Sequence, residues 1–338
     1  MNETRKLRRA EKMTPRNGAA SAKNFFASEK KNGAASRDAV LKTLTYADLF
    51  DYPLHSEEIR EGLFDCAASL NEVNEALAEW ERRGVIEQHN RLFFIRGRGR
   101  IVAVREQRRQ QTQRLLQEHA WLLRLVINFP FVRSVSLSGA GAFENCKQAD
   151  DIDVFILAAP RRLWAVNAAL VVLLNLLGKR KTICLNCLLD LDHLRVDDRD
   201  FFVAHQIAFL RPLSGIEHFR QFQAANNWIY SYLPQRRHEA APPPSNHLSF
   251  PLKNFFEKIL SSRIFDYFEK LIFIAYRRRL RRKTRHLSKD WIVIEPGQIK
   301  LFTNNHRHRI KKALRRRVQE ILQRDFALKE VEASETVV

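Results

Sequence analysis

The sequence predicts an α+β protein, in which a central mixed sheet with helices lies between a small helical module with a hairpin and a mostly helical basic module. Three observations lead there. Residues 132–157 and 181–189 read as apolar strands separated by a small-residue turn and an apolar helix. Residues 38–98 read as three short helices followed by two short strands. From Phe255 onward apolar residues recur at helical spacing, and seven of the nine residues from Arg277 to Arg285 are basic, which marks a helical segment with a cationic run.

A chain of 338 residues, 45% hydrophobic and 28% charged, has room for two or three domains and a sizeable core, which excludes global disorder, a coiled coil and a collagen-like chain. Four cysteines make no disulfide framework in so long a chain, and Met1 is not followed by an apolar segment. A cytoplasmic location is expected. The longest apolar stretch, Leu163 to Leu177, is interrupted by Asn167 and Asn175 and is shorter than the roughly 20 residues of a membrane span. It reads as a core helix, and no membrane partner is expected.

The expected division is a basic disordered tail (1–37), the module of three helices and a hairpin (38–99), a connecting helix (100–130), the sheet core (131–237), a proline-rich linker (238–250) and the basic helical module (251–338). The tail repeats Asn-Gly-Ala-Ala-Ser at 17–21 and 32–36 and has little apolar content to bury. Pro242, Pro243 and Pro244 stop any helix in the linker. Of the net charge of +20, the tail carries +7, the last module +12 and the middle +1, so the basic character belongs to the two ends. The runs 277–285 and 311–317 are therefore candidates for contact with a nucleic-acid backbone, where neutralised phosphates release counterions. A solvated face or an acidic protein partner would use the same residues.

In the first module the helices are expected at Val40–Phe50, Glu57–Phe64 and Leu70–Arg83, and the strands near Val85–Gln88 and Leu92–Ile95. Ser56 suits an N-cap, Ser69 with Glu72 forms a capping box, and His89-Asn90 supplies the hairpin turn. The pattern resembles a winged helix-turn-helix. Its third helix carries Glu72, Glu75, Glu79 and Glu81 against Arg82 and Arg83, a charge that repels phosphates and favours packing or a protein partner over reading DNA. One long helix from Arg100 to Asn128, closed by Pro130, should connect this module to the sheet.

The chemistry is expected between Val132 and Leu157. A strand ends at Ser138-Gly139, a small-residue turn opens a short helix, and the next strand begins Asp151-Ile-Asp153. Residues two apart on a strand face the same way, so the two aspartates project together, and paired carboxylates suit a hard cation such as Mg²⁺. The backbone N–H groups of Ser138, Gly139, Ala140 and Gly141 are placed to meet phosphate oxygens at the following helix N-terminus.

This segment resembles the nucleotidyltransferase superfamily typified by DNA polymerase beta, whose signature is an apolar residue, Gly, Gly or Ser, a spacer, then Asp-apolar-Asp/Glu. Leu137, Ser138, Gly139 and Asp151-Ile-Asp153 match it. The chain is also similar to an uncharacterised bacterial group in which a winged helix precedes the transferase core, through Pro130-Phe-Val-Arg-Ser134, Asn186, Asp192-His193-Leu194, Ala204-His205 and Asn227-Trp228. The resemblance implies transfer of a nucleoside monophosphate from a nucleoside triphosphate to an acceptor hydroxyl, with two Mg²⁺ ions held by Asp151 and Asp153. It also implies a third carboxylate on a later strand, for which Asp190 and Asp192, at the end of the strand from Lys181, are the candidates. Asp190 shares the parity of Asn186 in a regular strand.

Two departures bear on activity. Ala140 stands where the motif has a second Gly or a Ser, and the third carboxylate is not evident, so the alternative is a catalytically weak regulator that binds nucleotide or nucleic acid. Cys184-Leu-Asn-Cys187 has metal-site spacing, but residues three apart on a regular strand face opposite ways. His205 reads as a core or surface histidine, and His306 and His308 as parts of a basic surface.

Overall fold

The computed structural model describes residues 32–236, 251–283, 292–301 and 306–335. Its elements form an α+β architecture around a mixed sheet that, among the described residues, has six strands. The expected linker 238–250, the tail as far as residue 31 and residues 284 and 285 of the first basic run lie outside the described residues.

The N-terminal module comprises α1 (Asn32–Asp48), α2 (Ser56–Glu61), α3 (Leu70–Arg82) and the hairpin β1 (Ile86–His89) and β2 (Leu92–Ile95). Helix α1 begins before the expected tail ends, and Ser36 is already buried. The capping box at Ser69 forms: Glu72 N–H donates to the Ser69 hydroxyl, and Ser69 N–H donates to the Glu72 carboxylate. Helix α2 is instead capped from His55, whose N–H donates to Glu58, so Ser56 is its first residue and not its cap. The hairpin turns on Asn90 and Arg91, both at positive φ, one residue later than expected. Val40, Leu44, Ile59, Leu77 and Trp80 fill the module's core.

The expected connecting helix is two helices, α4 (Ile101–Glu118) and α5 (Ala120–Ile127), broken at His119. They serve different parts of the molecule. Arg105 and Arg108 tie α4 to Glu58 and Asp51 of the first module, whereas Leu122, Leu123 and Val126 of α5 enter the core beneath the sheet. The end of α4 joins the same core through Leu115 and Leu116.

Strands β3 (Val132–Leu137), β4 (Ile152–Ala158), β5 (Ile183–Asp190) and β6 (Arg211–Ser214) are joined by α6 (Gly139–Ala142), α7 (Leu163–Leu176) and α8 (Phe201–Ala208). Helix α9 (Ile216–Ala225) and a 3-10 turn (Asn227–Ser231) follow. β4 and β5 are parallel, as the crossover through α7 requires, and the other neighbours are antiparallel. Leu163, Trp164, Leu170 and Leu174 bury α7 against one sheet face, and among the described residues no helix is long and apolar enough to cross a membrane.

The C-terminal part departs from the expected helical module. Helices α10 (Pro251–Leu260) and α11 (Arg263–Lys283) are followed by β7 (Ile292–Glu295) and β8 (Gln298–Leu301), and the sheet order is β6-β3-β4-β5-β8-β7. This hairpin thus completes the sheet on its β5 side. The last helix, α12 (His306–Glu335), packs Leu314 and Val318 against the second sheet face and Ile321 into the N-terminal core, where Asp325 pairs with Arg83.

Alternation along the strands gives the sheet two apolar faces. Val154, Ile156, Ile183 and Leu188 meet α5, α7 and α11, while Phe155, Leu157 and Leu189 meet α8, α9, α12 and α1. The second face carries the candidate site.

Candidate functional site

Strand β3 ends at Leu137, and the N–H of Ser138 donates to the Asp153 carbonyl across the strand pair. Gly139 then takes a left-handed conformation with φ of 55°, and a Cβ there would lie 2.7 Å from the Asp153 carboxylate. Both facts require glycine: L side chains disfavour that φ, and the space belongs to Asp153. Gly141 has no such neighbour. Helix α6 is a single turn, so it has little macrodipole and the expected cradle at Ser138, Gly139, Ala140 and Gly141 reduces to local backbone N–H groups.

Asp151 and Asp153, both half-buried, project together as the spacing predicts. Their neighbour is Cys184, the register partner of Asp153 on β5. One carboxylate oxygen from each aspartate and the Cys184 sulfur lie within 4.8 Å of one another. Burial, and then the two negative charges, push the Cys184 thiol well above its ordinary pKa, so it stays protonated and donates to the carboxylates.

Asp190 and Asp192 do not join this group. Asp190 pairs with Ala158, six residues along β5 from Cys184 or roughly 20 Å at strand rise, and on the opposite sheet face. It is buried, and it accepts from the Asp192 N–H at 3.1 Å and bonds His193 Nδ1 at 2.6 Å. Asp192 is exposed beyond the strand end. The parity expected for Asp190 fails because β5 carries a bulge: Asp153 faces Cys184, but Phe155 faces Cys187, two steps against three. The same bulge returns Cys187 to the face of Cys184, against the expected opposition of the two sulfurs. Nothing in the sequence marks the bulge.

Asp153 of the pair lines a cavity of about 790 Å³ between the sheet, α8 and α1 of the N-terminal module. Its wall is aromatic. His205, Phe143 and Phe209 form a three-ring cluster, with His205 at 5.4 Å from Phe143 and 4.4 Å from Phe209 and those two 5.2 Å apart, and Tyr46 lies 4.6 Å from His205. Its Nδ1 has no hydrogen-bond partner among the described residues, and burial drives its pKa down to about 3, which keeps the ring neutral. His205 is therefore a cavity wall and not simply a packed core residue. Across from Cys187, Lys300 of β8 also lines the cavity, only 7% exposed and with no carboxylate partner among the described residues. The expectation of a mostly helical C-terminal module placed no strand there.

The second basic run is partly paired within the chain. In 311–317, Lys311 pairs with Asp200, Arg316 with Glu320, and Arg317 with Asp48 and Glu320. Arg307 joins Lys311 on Asp200: burial alone would raise that carboxyl, but the Val203 N–H and the two cations hold it below the usual range. Lys311 with Arg307 fastens α12 to the sheet module, Arg317 joins it to α1 through Asp48, and the pairs with Glu320 lie within α12 itself. No protein-family model, curated protein or solved structure matches the chain.

Proposed function

We propose that this protein is a divalent-cation-dependent nucleotidyltransferase, moving a nucleoside monophosphate from a nucleoside triphosphate to an acceptor hydroxyl and releasing pyrophosphate. The observation that carries this reading is the left-handed Gly139 turn set against Asp153, with Asp151 beside it, because phosphate and cation must share one small space. Asp151 and Asp153 would hold the cation, which when bound supplies charge neutralisation and polarisation of the phosphates. Two carboxylates suit Mg²⁺. Cys184 does not, since thiol sulfur is a poor ligand for a hard ion, and as a thiolate it would suit a softer one such as Zn²⁺. A second ion would have only the same two carboxylates on the protein side.

The chain's other contributions follow from position. Backbone N–H groups from Gly139 to Gly141 meet phosphate oxygens, Phe143, His205 and Phe209 offer flat faces to a planar group, and Lys300 offers a charge to an anionic one. The N-terminal module, read as a winged helix-turn-helix, acts as a cavity wall through α1 and as a protein-contact surface, because α3 presents Glu72, Glu75 and Glu81 to solvent. A second reading, nucleotide binding without efficient turnover, is favoured by Cys184 standing where a third carboxylate would be.

Thermal unfolding with each nucleoside triphosphate and Mg²⁺ tests the proposal. Ligand at about 100 times Kd should add about 2.7 kcal/mol to the wild type. The Asp151→Asn/Asp153→Asn variant should show no such shift, and Gly139→Ala a weaker one, since its Cβ displaces Asp153. No shift with any nucleotide sinks both readings. A shift without pyrophosphate release in the presence of candidate acceptors selects the second.

A further inference from the structure

We infer that the outward face of the α10–α11 hairpin docks on the surface of an anionic lipid bilayer. On α11, Ile264, Tyr267, Phe268, Leu271 and Ile274 lie at the i, i+3, i+4, i+7 and i+10 positions of one helix face and are all exposed, Ile264 to 68% and Tyr267 to 63%. Phe255, Phe256 and Ile259 of α10 add to them. A contiguous apolar face of this kind, outside the core, marks a contact with something else.

The charges on the hairpin are sorted by face. Residues 251–283 contain three carboxylates, and each is turned inward. Glu257 pairs with Arg133, Asp266 pairs with Arg162, and Glu269 accepts the Trp164 and Ala165 N–H groups at the start of α7. Lys258, Lys270, Arg278, Arg279, Arg281 and Arg282 are exposed. The outward face therefore combines large apolar side chains with positive charge alone.

That combination selects among occupants. A second copy meeting this face symmetrically would bring the arginines together. A nucleic acid would satisfy the arginines but leave Ile264, Leu271 and Ile274 without partners. A bilayer interface satisfies both, with apolar side chains at the boundary of headgroups and acyl chains and cations among anionic headgroups. The lack of a spanning helix among the described residues does not bear on a helix that lies on the surface, where the expectation of no membrane partner came from the shortness of the apolar stretches.

Flotation of the full chain with vesicles of phosphatidylcholine, with and without phosphatidylglycerol, tests this. The wild type should float only with the anionic vesicles and come off as salt is raised. Ile264→Gln/Phe268→Gln/Leu271→Gln should abolish flotation, and Arg278→Gln/Arg281→Gln/Arg282→Gln should weaken partitioning roughly a hundredfold, at about 1 kcal/mol per basic residue. All six side chains are exposed, so both variants should keep the wild-type melting curve, and Asp153→Asn should float normally. Three results overturn the inference. These are no flotation with anionic vesicles, flotation indifferent to both variants, and a dimer in light scattering that the apolar variant abolishes, which would assign the face to a second copy.

Discussion

The two ends of β5 each hold carboxylates, and they use them in opposite ways. At the Cys184 end, Asp151 and Asp153 face a protonated thiol, and Asp153 also lines a cavity shared with His205, whose Nδ1 has no hydrogen-bond partner among the described residues. At the other end, buried Asp190 binds the imidazole of His193 and the Asp192 N–H, closing the corner where its own N–H meets the Gly297 carbonyl. A side chain at Gly297 would overlap the His193 ring, so that corner is packed to its limit. A carboxylate satisfied by its neighbours is structural, and one held beside another negative charge is poised for a ligand.

Three perturbations set the two ends against each other. Asp190→Ala has the largest expected effect: it removes the acceptor for His193 and a backbone N–H, costing about 1–3 kcal/mol by thermal or urea unfolding and leaving any nucleotide response intact. Asp192→Ala, at an exposed position, should stay within about 0.5 kcal/mol. An Asp190 variant that kept its stability and lost its nucleotide response would reverse the roles of the two ends.

Next comes pH. His205 binds a proton near 6.5 when unfolded but only near 3 when folded, so stability is retained above about 6.5 and lost as pH falls toward about 3. The slope approaches about 1.4 kcal/mol per pH unit. His205→Phe should flatten the acid limb of unfolding curves, whereas His193→Phe, at the structural end, should not reproduce that flattening. The smallest effect is expected from Cys184→Ser: the Mg²⁺-dependent nucleotide shift should persist, and any stabilisation by Zn²⁺ should fall away.

The local elements were legible because short-range rules decide them. The Ser69-Glu72 box, the apolar strands and the same-face pair Asp151 and Asp153 follow from capping and from a period of two. Three local expectations failed where geometry departs from the rule: the helix break at His119, the cap at His55 and the hairpin turn at Asn90-Arg91. The third group of the candidate site failed for a related reason. A period of two cannot be carried past a bulge, so Asp190 was expected on the face that Cys184 and Cys187 occupy.

By itself the sequence determined the α+β class, the glycine turn before a carboxylate pair, and the concentration of positive charge at the chain ends. Which charges are neutralised was decided only in three dimensions, because Asp48 and Asp200 meet cations of α12, and Asp325 of α12 meets Arg83, across more than a hundred residues of sequence. The return of the last hairpin to the sheet, which brings Lys300 to the cavity, was likewise decided by pairing between distant strands. Hydrogen-bond register between strands and the burial of one face against another are properties of the assembled chain, and no window of sequence contains both partners.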